Sequence, residues 1–359
     1  MSYDNTDPSA YLRALWSKEE RAINAKIEDV KALYVESERD DDIARHLKRL
    51  TFNAAIRRDP RLPHAADNRA PGKGLIIVGP SGSGKSTLAQ ETFKNSTAFP
   101  NYGHRDVWCP LVSVSAPAPC TLLQLAIRIL ILLGYEITRE LKENGAWLRV
   151  REQLKLQRIL FLHIDDIQHV LHQLSEEEIQ KVRDTLKDLM TSMDWPVQLI
   201  LSGVPELLPF ARKDRQLRRR LKFMNLSQLS VGNHSEFLDD AIREYARTAD
   251  LKLCIKPDDA LVGRLLHAGQ YEMGISLEIL GDAVEAAYDR DGKTLALADF
   301  ANAYAPRNLM PDDQNPFVAY AWDRIDVSRL RPKEIDPEDD RSEEDAAGTK
   351  PKRRYRKKP

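Results

Sequence analysis

Gly79-Pro-Ser-Gly-Ser-Gly-Lys-Ser86 fits the pattern G-x-x-x-x-G-K-[ST] at every fixed position. Gly74-Leu-Ile-Ile-Val78, just before it, is a short apolar β-branched run, as a buried strand should be. Thr87-Leu-Ala-Gln-Glu-Thr-Phe93, just after it, holds no breaker and suits a helix. The glycine-rich turn therefore sits between strand and helix, where a phosphate cradle must sit. Gly79, Gly82 and Gly84 let the backbone curl into a nest of N–H groups. The helix N-terminus adds the positive end of its dipole. The candidate nucleotide-binding residues are Gly79, Pro80, Ser81, Gly82, Ser83, Gly84, Lys85, Ser86 and Thr87. Lys85 is expected to reach the β- and γ-phosphates of ATP, and Ser86 to ligate Mg²⁺. The competing reading is an ordinary Gly/Ser loop capping a helix.

Working outward, the next strand-like runs are Leu111–Ser115, Arg158–Ile164, Val197–Ser202 and a stretch near Phe223–Leu226. Helical stretches separate them, including an apolar one capped by Thr121 and a long one opened by Ser175-x-x-Glu178. Strands alternating with helices predict a three-layer α/β domain with a parallel sheet over residues 71–232. Residues 1–70 read as a charged helical segment. Ser17 and Glu20 form a capping-box pattern, helical spacing spans Arg21–Glu36, and Ile43, Leu47, Leu50 and Ala54 share one helix face. A loop rich in Pro, Asn and Gly follows, Pro60–Gly72, and this segment just before the first strand is expected to line the nucleotide-base pocket. Residues 233–306 read as helices only. Residues 307–359 form an extension expected to be largely disordered, with an acidic block, Glu334–Asp345, and a basic one, Lys350–Lys358.

A 42% hydrophobic share supports a sizeable core, and 359 residues allow two or three domains. Net charge is −1, so nucleic-acid affinity must come from local patches. Cys109, Cys120 and Cys254 suggest neither a disulfide framework nor a zinc site, and a cytoplasmic location is expected. Leu122–Leu133, the most apolar stretch, is too short to span a bilayer, so no membrane partner is expected.

A Mg²⁺–ATP site needs a carboxylate at the end of a neighbouring strand. Asp165 follows the apolar run and is the candidate for Mg²⁺. Asp166 follows it, where many ATPases carry a Glu that polarises the attacking water; the shorter Asp suggests slow hydrolysis. The alternative is a strand-end turn with two solvated acids. Ser202 ends the following strand, where it contacts phosphate or lytic water, or simply leads into the Gly203 turn. Among the arginines before the fifth strand, Arg220 is preferred over Arg219 and Arg215 as a finger for a neighbour's γ-phosphate. A charge run there is also compatible with a solvated face.

These pieces together resemble the AAA+ ATPases, and within them the TniB/TnsC family of transposition ATPases. The resemblance rests on Gly74–Ser86, Ile164-Asp-Asp-Ile-Gln-His169, Leu201–Leu207, Arg215–Arg220, Gly274-Ile-Ser-Leu-Glu-Ile-Leu280 and Asn315-Pro-Phe317, and covers roughly residues 35–320. It implies an AAA+ P-loop core, a five-stranded parallel sheet between helices, followed by a small all-helical lid. It also implies an ATP-binding regulator that assembles as a homo-oligomeric ring or helical filament on double-stranded DNA. Such a protein links a TniQ-like target selector, in some members a CRISPR effector, to the transposase. Two positions depart from the pattern: Asp166 stands in place of the usual Glu, and Ser276 near that of a lid Arg. By the same resemblance Lys142, Arg149 and Arg151 are candidate DNA contacts, against the alternative of a charged helix pairing with Glu140, Glu143 and Glu152. A helicase loader and a nucleotide-gated assembly switch without DNA are the competing functions. No nuclease carboxylate set is evident, so DNA cleavage falls to a partner.

Overall fold

The computed structural model describes residues 7–104, 107–118, 120–171, 174–290, 292–308 and 311–327. The acidic and basic blocks of the C-terminal tail lie outside the described residues. Short helix α1 (Ala10–Leu15) and α2 (Lys18–Lys31) open the chain, and α2 starts on the Ser17–Glu20 capping box. The helix expected to Glu36 stops at Lys31. Leu33 to Ser37 then runs without helix to α3 (Glu38–Ala55), whose buried face carries Ile43, Leu47, Leu50 and Ala54.

The core strands are β1 (Gly74–Val78), β2 (Leu111–Ser115), β3 (Phe161–Asp165), β4 (Gln198–Gly203) and β5 (Leu221–Asn225). They form one sheet in the order β2-β3-β4-β1-β5, parallel throughout. Between them run α4 (Lys85–Asn95), α5 (Leu122–Leu132), α6 (Glu143–Leu156), α7 (Gln168–Leu171), α8 (Glu176–Thr191), α9 (Leu207–Lys213) and α10 (Arg215–Arg220). Period-two alternation splits β1 between two cores. Ile76 and Val78 pack with α5, α6 and α8, while Leu75 and Ile77 pack with α3, α4 and Phe99. The first turn of α4 thus emerges at the carboxyl end of β1, an inner strand of the sheet, where open α/β sheets bind ligands.

A second body follows: α11 (Val231–Thr248), β6 (Lys252–Cys254), α12 (Leu261–Ala268), α13 (Met273–Arg290), β7 (Thr294–Ala296) and α14 (Leu297–Asn308). The reading of helices only misses β6 and β7, a parallel ribbon of three residues each whose length gives no usable alternation. Val30 of α2 belongs to this body's core, so the N-terminal segment bridges lid and sheet domain. The extension expected to be weakly folded from 307 is packed over 311–327. Phe317 is buried against Phe300 and Tyr304, Asn315 donates to the Ala301 carbonyl, and Arg264 holds the Ala319 carbonyl. No helix of the described residues is long and apolar enough to cross a membrane.

Candidate nucleotide site

The loop between β1 and α4 adopts the conformation its glycines allow. Gly82 and Gly84 have φ of +79° and +88°, and Gly84 caps α4. A Cβ on Gly84 would meet nothing within 4 Å, so the cradle is open on that side. On Gly82 it would lie 2.4 Å from Ile275 of α13, so the lid helix rests directly on the loop. The Ile275 amide donates to the Gly82 carbonyl at 3.3 Å. Lys85 is buried and folds back to donate to the Gly79 and Pro80 carbonyls at 2.8 and 2.9 Å. Burial pulls its pKa below the usual lysine value, against the opposing pull of Asp166, Asp165 and Glu272. Ser83 Oγ is buried with no hydrogen-bond partner among the described residues.

Asp165 ends β3 beside the start of α4. Burial alone would raise its carboxyl, but hydrogen bonds from Ser202 and Ser86, with His163 nearby, outweigh it and hold the pKa below the ordinary value. Ser86, in the first turn of α4, and Asp165, at the end of β3, therefore lie near one another, as the expected Mg²⁺ pair must. Their hydroxyl and carboxylate oxygens are the hard donors that cation takes. No cluster of three or more His, Cys, Asp or Glu side chains suited to a metal occurs among the described residues. Any cation here would complete its shell with phosphate and water, as Mg²⁺ at a P-loop does.

Behind Asp165 runs a buried polar chain. Ser202 Oγ donates to Asp165 Oδ1 at 2.5 Å and lies 2.9 Å from His163 Nε2; Ser113 Oγ lies 2.7 Å from His163 Nδ1. Burial lowers the His163 pKa to about 4, so the ring is neutral at pH 7. With the Ser202 proton spent on the carboxylate, Nε2–H donates to Ser202 and Nδ1 accepts from Ser113. Ser202 orients the Asp165 carboxylate here, rather than presenting its proton to a phosphate.

Asp166 takes a left-handed φ of 52°, accepts from Gln168 Nε2 at 3.0 Å, and its field reaches Lys85. Gln168 packs on Gly203, where an added Cβ would meet its Oε1 at 2.3 Å. Beside the loop lies a cavity of about 340 Å³ between Tyr34 and Val35 of the N-terminal segment, Thr87 of α4, and Met273 and Leu277 of α13; the loop Pro60–Gly72, expected to line a base pocket, does not border it. Arg39 of α3 closes its inner end, donating to the Ser83 and Ser227 carbonyls at 2.9 and 2.6 Å. Sequence reasoning missed Arg39, His163 and Gln168. Arg39 lies 44 residues before Ser83, and no local spacing relates the two.

Two groups lie away from the cradle. Arg220 precedes Leu221, which pairs with Gly74 at the opposite end of β1 from Gly79. At about 3.3 Å per residue that is on the order of 17 Å, beyond reach of its own phosphates. Among the expected DNA contacts, Lys142 is exposed at the start of α6, whereas Arg149 pairs with Glu152 at 2.6 Å and Arg151 with Asp188. Of the local pairings expected, the described residues show that with Glu152 and none with Glu140 or Glu143, while Arg151 reaches across to Asp188 of α8.

Residues 54–231 match the family model described as bacterial TniB protein. In fold the chain is similar to the Aeropyrum pernix ORC1 protein, solved in complex with DNA, with TM-score 0.54 and 16% identity over 79% of this chain and 68% of that one. It is also similar to Aeropyrum pernix ORC2 in its ADP form, with TM-score 0.53 and 17% identity over 76% and 69%. For Cdc6p from Pyrobaculum aerophilum the TM-score is 0.53 at 14% identity, over 77% and 69%. No curated protein matches in sequence.

Proposed function

Because its core, residues 54–231, belongs to the bacterial TniB family of AAA+ ATPases, we propose that this chain is an ATP-dependent, DNA-binding regulator of DNA transposition. It assembles with copies of itself on double-stranded target DNA and links a TniQ-like target selector, in some systems a CRISPR effector, to the transposase. The observation that carries the nucleotide half is the open Gly84 cradle at the head of α4, with the Ser202-held Asp165 carboxylate at the end of β3. The loop amides from Gly82 to Thr87 hold the phosphates, and Lys85 leaves the Gly79 and Pro80 carbonyls to take up the β- and γ-oxygens. Mg²⁺, when bound, offsets charge on those oxygens. Ser86 and Asp165 hold it, with Ser202 fixing the Asp165 oxygen. Asp166, steadied by Gln168, orients the attacking water; its short side chain favours slow hydrolysis. Arg220 acts on the nucleotide of a neighbouring copy.

Lys142 meets DNA phosphate directly in this reading. Arg149 and Arg151 do so by exchanging a carboxylate for a phosphate, which makes binding salt-sensitive and tolerant of sequence. Electron microscopy with duplex DNA and ATP, a non-hydrolysable analogue or ADP tests the proposal. Ordered rings or filaments that need the γ-phosphate and vanish in Lys85→Ala are expected. Assemblies indifferent to DNA would move the assignment to a nucleotide-gated switch, and capture of a replicative helicase in place of a transposase to a loader.

A further inference from the structure

At the amino end of the sheet, away from the nucleotide edge, a groove of about 580 Å³ opens between α3, the start of β1 and β5. Arg45, Lys48 and Arg49 of α3, Lys73 before β1, and Lys222 on β5 stand along it. Of these five cations only Arg45 has a carboxylate partner among the described residues, Asp42. The field is felt at His46, whose pKa is lowered first by burial and then by Arg49, Arg45 and Lys222. The lining is also apolar: Phe52 is 70% exposed and Ile56 39%. Among the described residues β5 pairs with β1 alone, which leaves its other edge unpaired.

We propose that this groove is the docking site of the chain's own acidic block, Glu334–Asp345, from the same or a second copy. That block carries eight carboxylates against one arginine, Arg341, and offers Ile335 to an apolar lining. The charges are complementary, and the match extends to the floor. A sugar–phosphate backbone would satisfy the lysines but leave Phe52 and Ile56 in water; an acidic peptide with an aliphatic side chain covers both. Length permits it. Eighteen residues separate Val327, the last described residue, from Asp345, which at about 3.3 Å each spans roughly 60 Å. A compact chain of this length has a radius of gyration of about 21 Å.

Carbodiimide cross-linking of the full chain, read by peptide mass spectrometry, tests this. Amide links are expected between Lys48, Lys73 or Lys222 and carboxylates of 334–345, and the intact mass shows whether one copy or two are joined. At about 1 M salt, where charges are screened beyond about 3 Å, the yield should fall about fivefold or more. The triple variant K48Q/K73Q/K222Q should lose the links while melting like the parent, since all three side chains are exposed. Absence of such links, or a block joined to other lysines instead, overturns the proposal. Links from these lysines to another face of a second copy would assign the groove to a copy–copy contact and overturn it too. So would lysines left unlinked and shielded only by added duplex DNA.

Discussion

Ser202 shows how much one hydroxyl can hold at the scale of a residue. It donates to Asp165 and accepts from a fully buried histidine, so Ser202→Ala strands both groups at once. A buried group that loses its partner costs about 1–3 kcal/mol. We expect the urea midpoint of Ser202→Ala to fall accordingly, and an unchanged midpoint would show that the buried chain is not formed. The motif residues around it were legible because their chemistry is local. Gly79 to Ser86 and the paired aspartates announce themselves through spacing and the apolar runs beside them. His163 was invisible in the sequence for the opposite reason. It sits inside an apolar strand, where its partners come from β2 and β4, and only the lateral order of the strands brings them to its two ring nitrogens.

Among the elements, α10 is the clearest case of a short helix held by one side chain. Asp214 caps it by accepting from the Gln216 and Leu217 amides and also pairs with Lys187 at 2.8 Å. Burial acting alone would raise the Asp214 pKa, but Lys187 and the two amides prevail and bring it from 3.8 to about 2. The sign follows from the depressed folded value. The carboxylate contributes stability above the unfolded pKa, and that contribution is lost as pH falls from 3.8 towards about 2. Asp214→Ala should therefore cost about 1 kcal/mol at neutral pH, as cap removal does. The gap to the parent should narrow in denaturation curves taken towards pH 2. A gap that stays constant with pH would mean the ionised carboxylate is not what holds the helix. Capping of this kind is readable from sequence when the box is complete, as at Ser17, Thr121 and Ser175. Here the arginine run drew the eye and the aspartate before it did not.

For the whole molecule, the expectation that matters most concerns Arg220. Its place at the far end of β1 from the cradle leaves it no phosphate within its own chain. Arg220→Ala should bind ATP as the parent does, measured by equilibrium titration. Its DNA-stimulated hydrolysis should drop on the order of 10³-fold, the scale of a finger supplied by a neighbour. If basal and stimulated rates were both unchanged, Arg220 would be an ordinary solvated side chain. The parallel order β2-β3-β4-β1-β5 was legible only as strand–helix alternation, since sequence does not state which strands lie side by side. The lid's seat on the phosphate loop was not legible at all. Ile275 occupies the volume where a side chain at position 82 would begin, so the two positions, far apart in the chain, share one space. Gly82 is doubly constrained, by its positive φ and by that isoleucine. Descendants of this chain are thus free to trim 275 while keeping 82, but not to enlarge 82 while keeping 275. Drift at these two sites is a one-way street, with the lid permitted to change first.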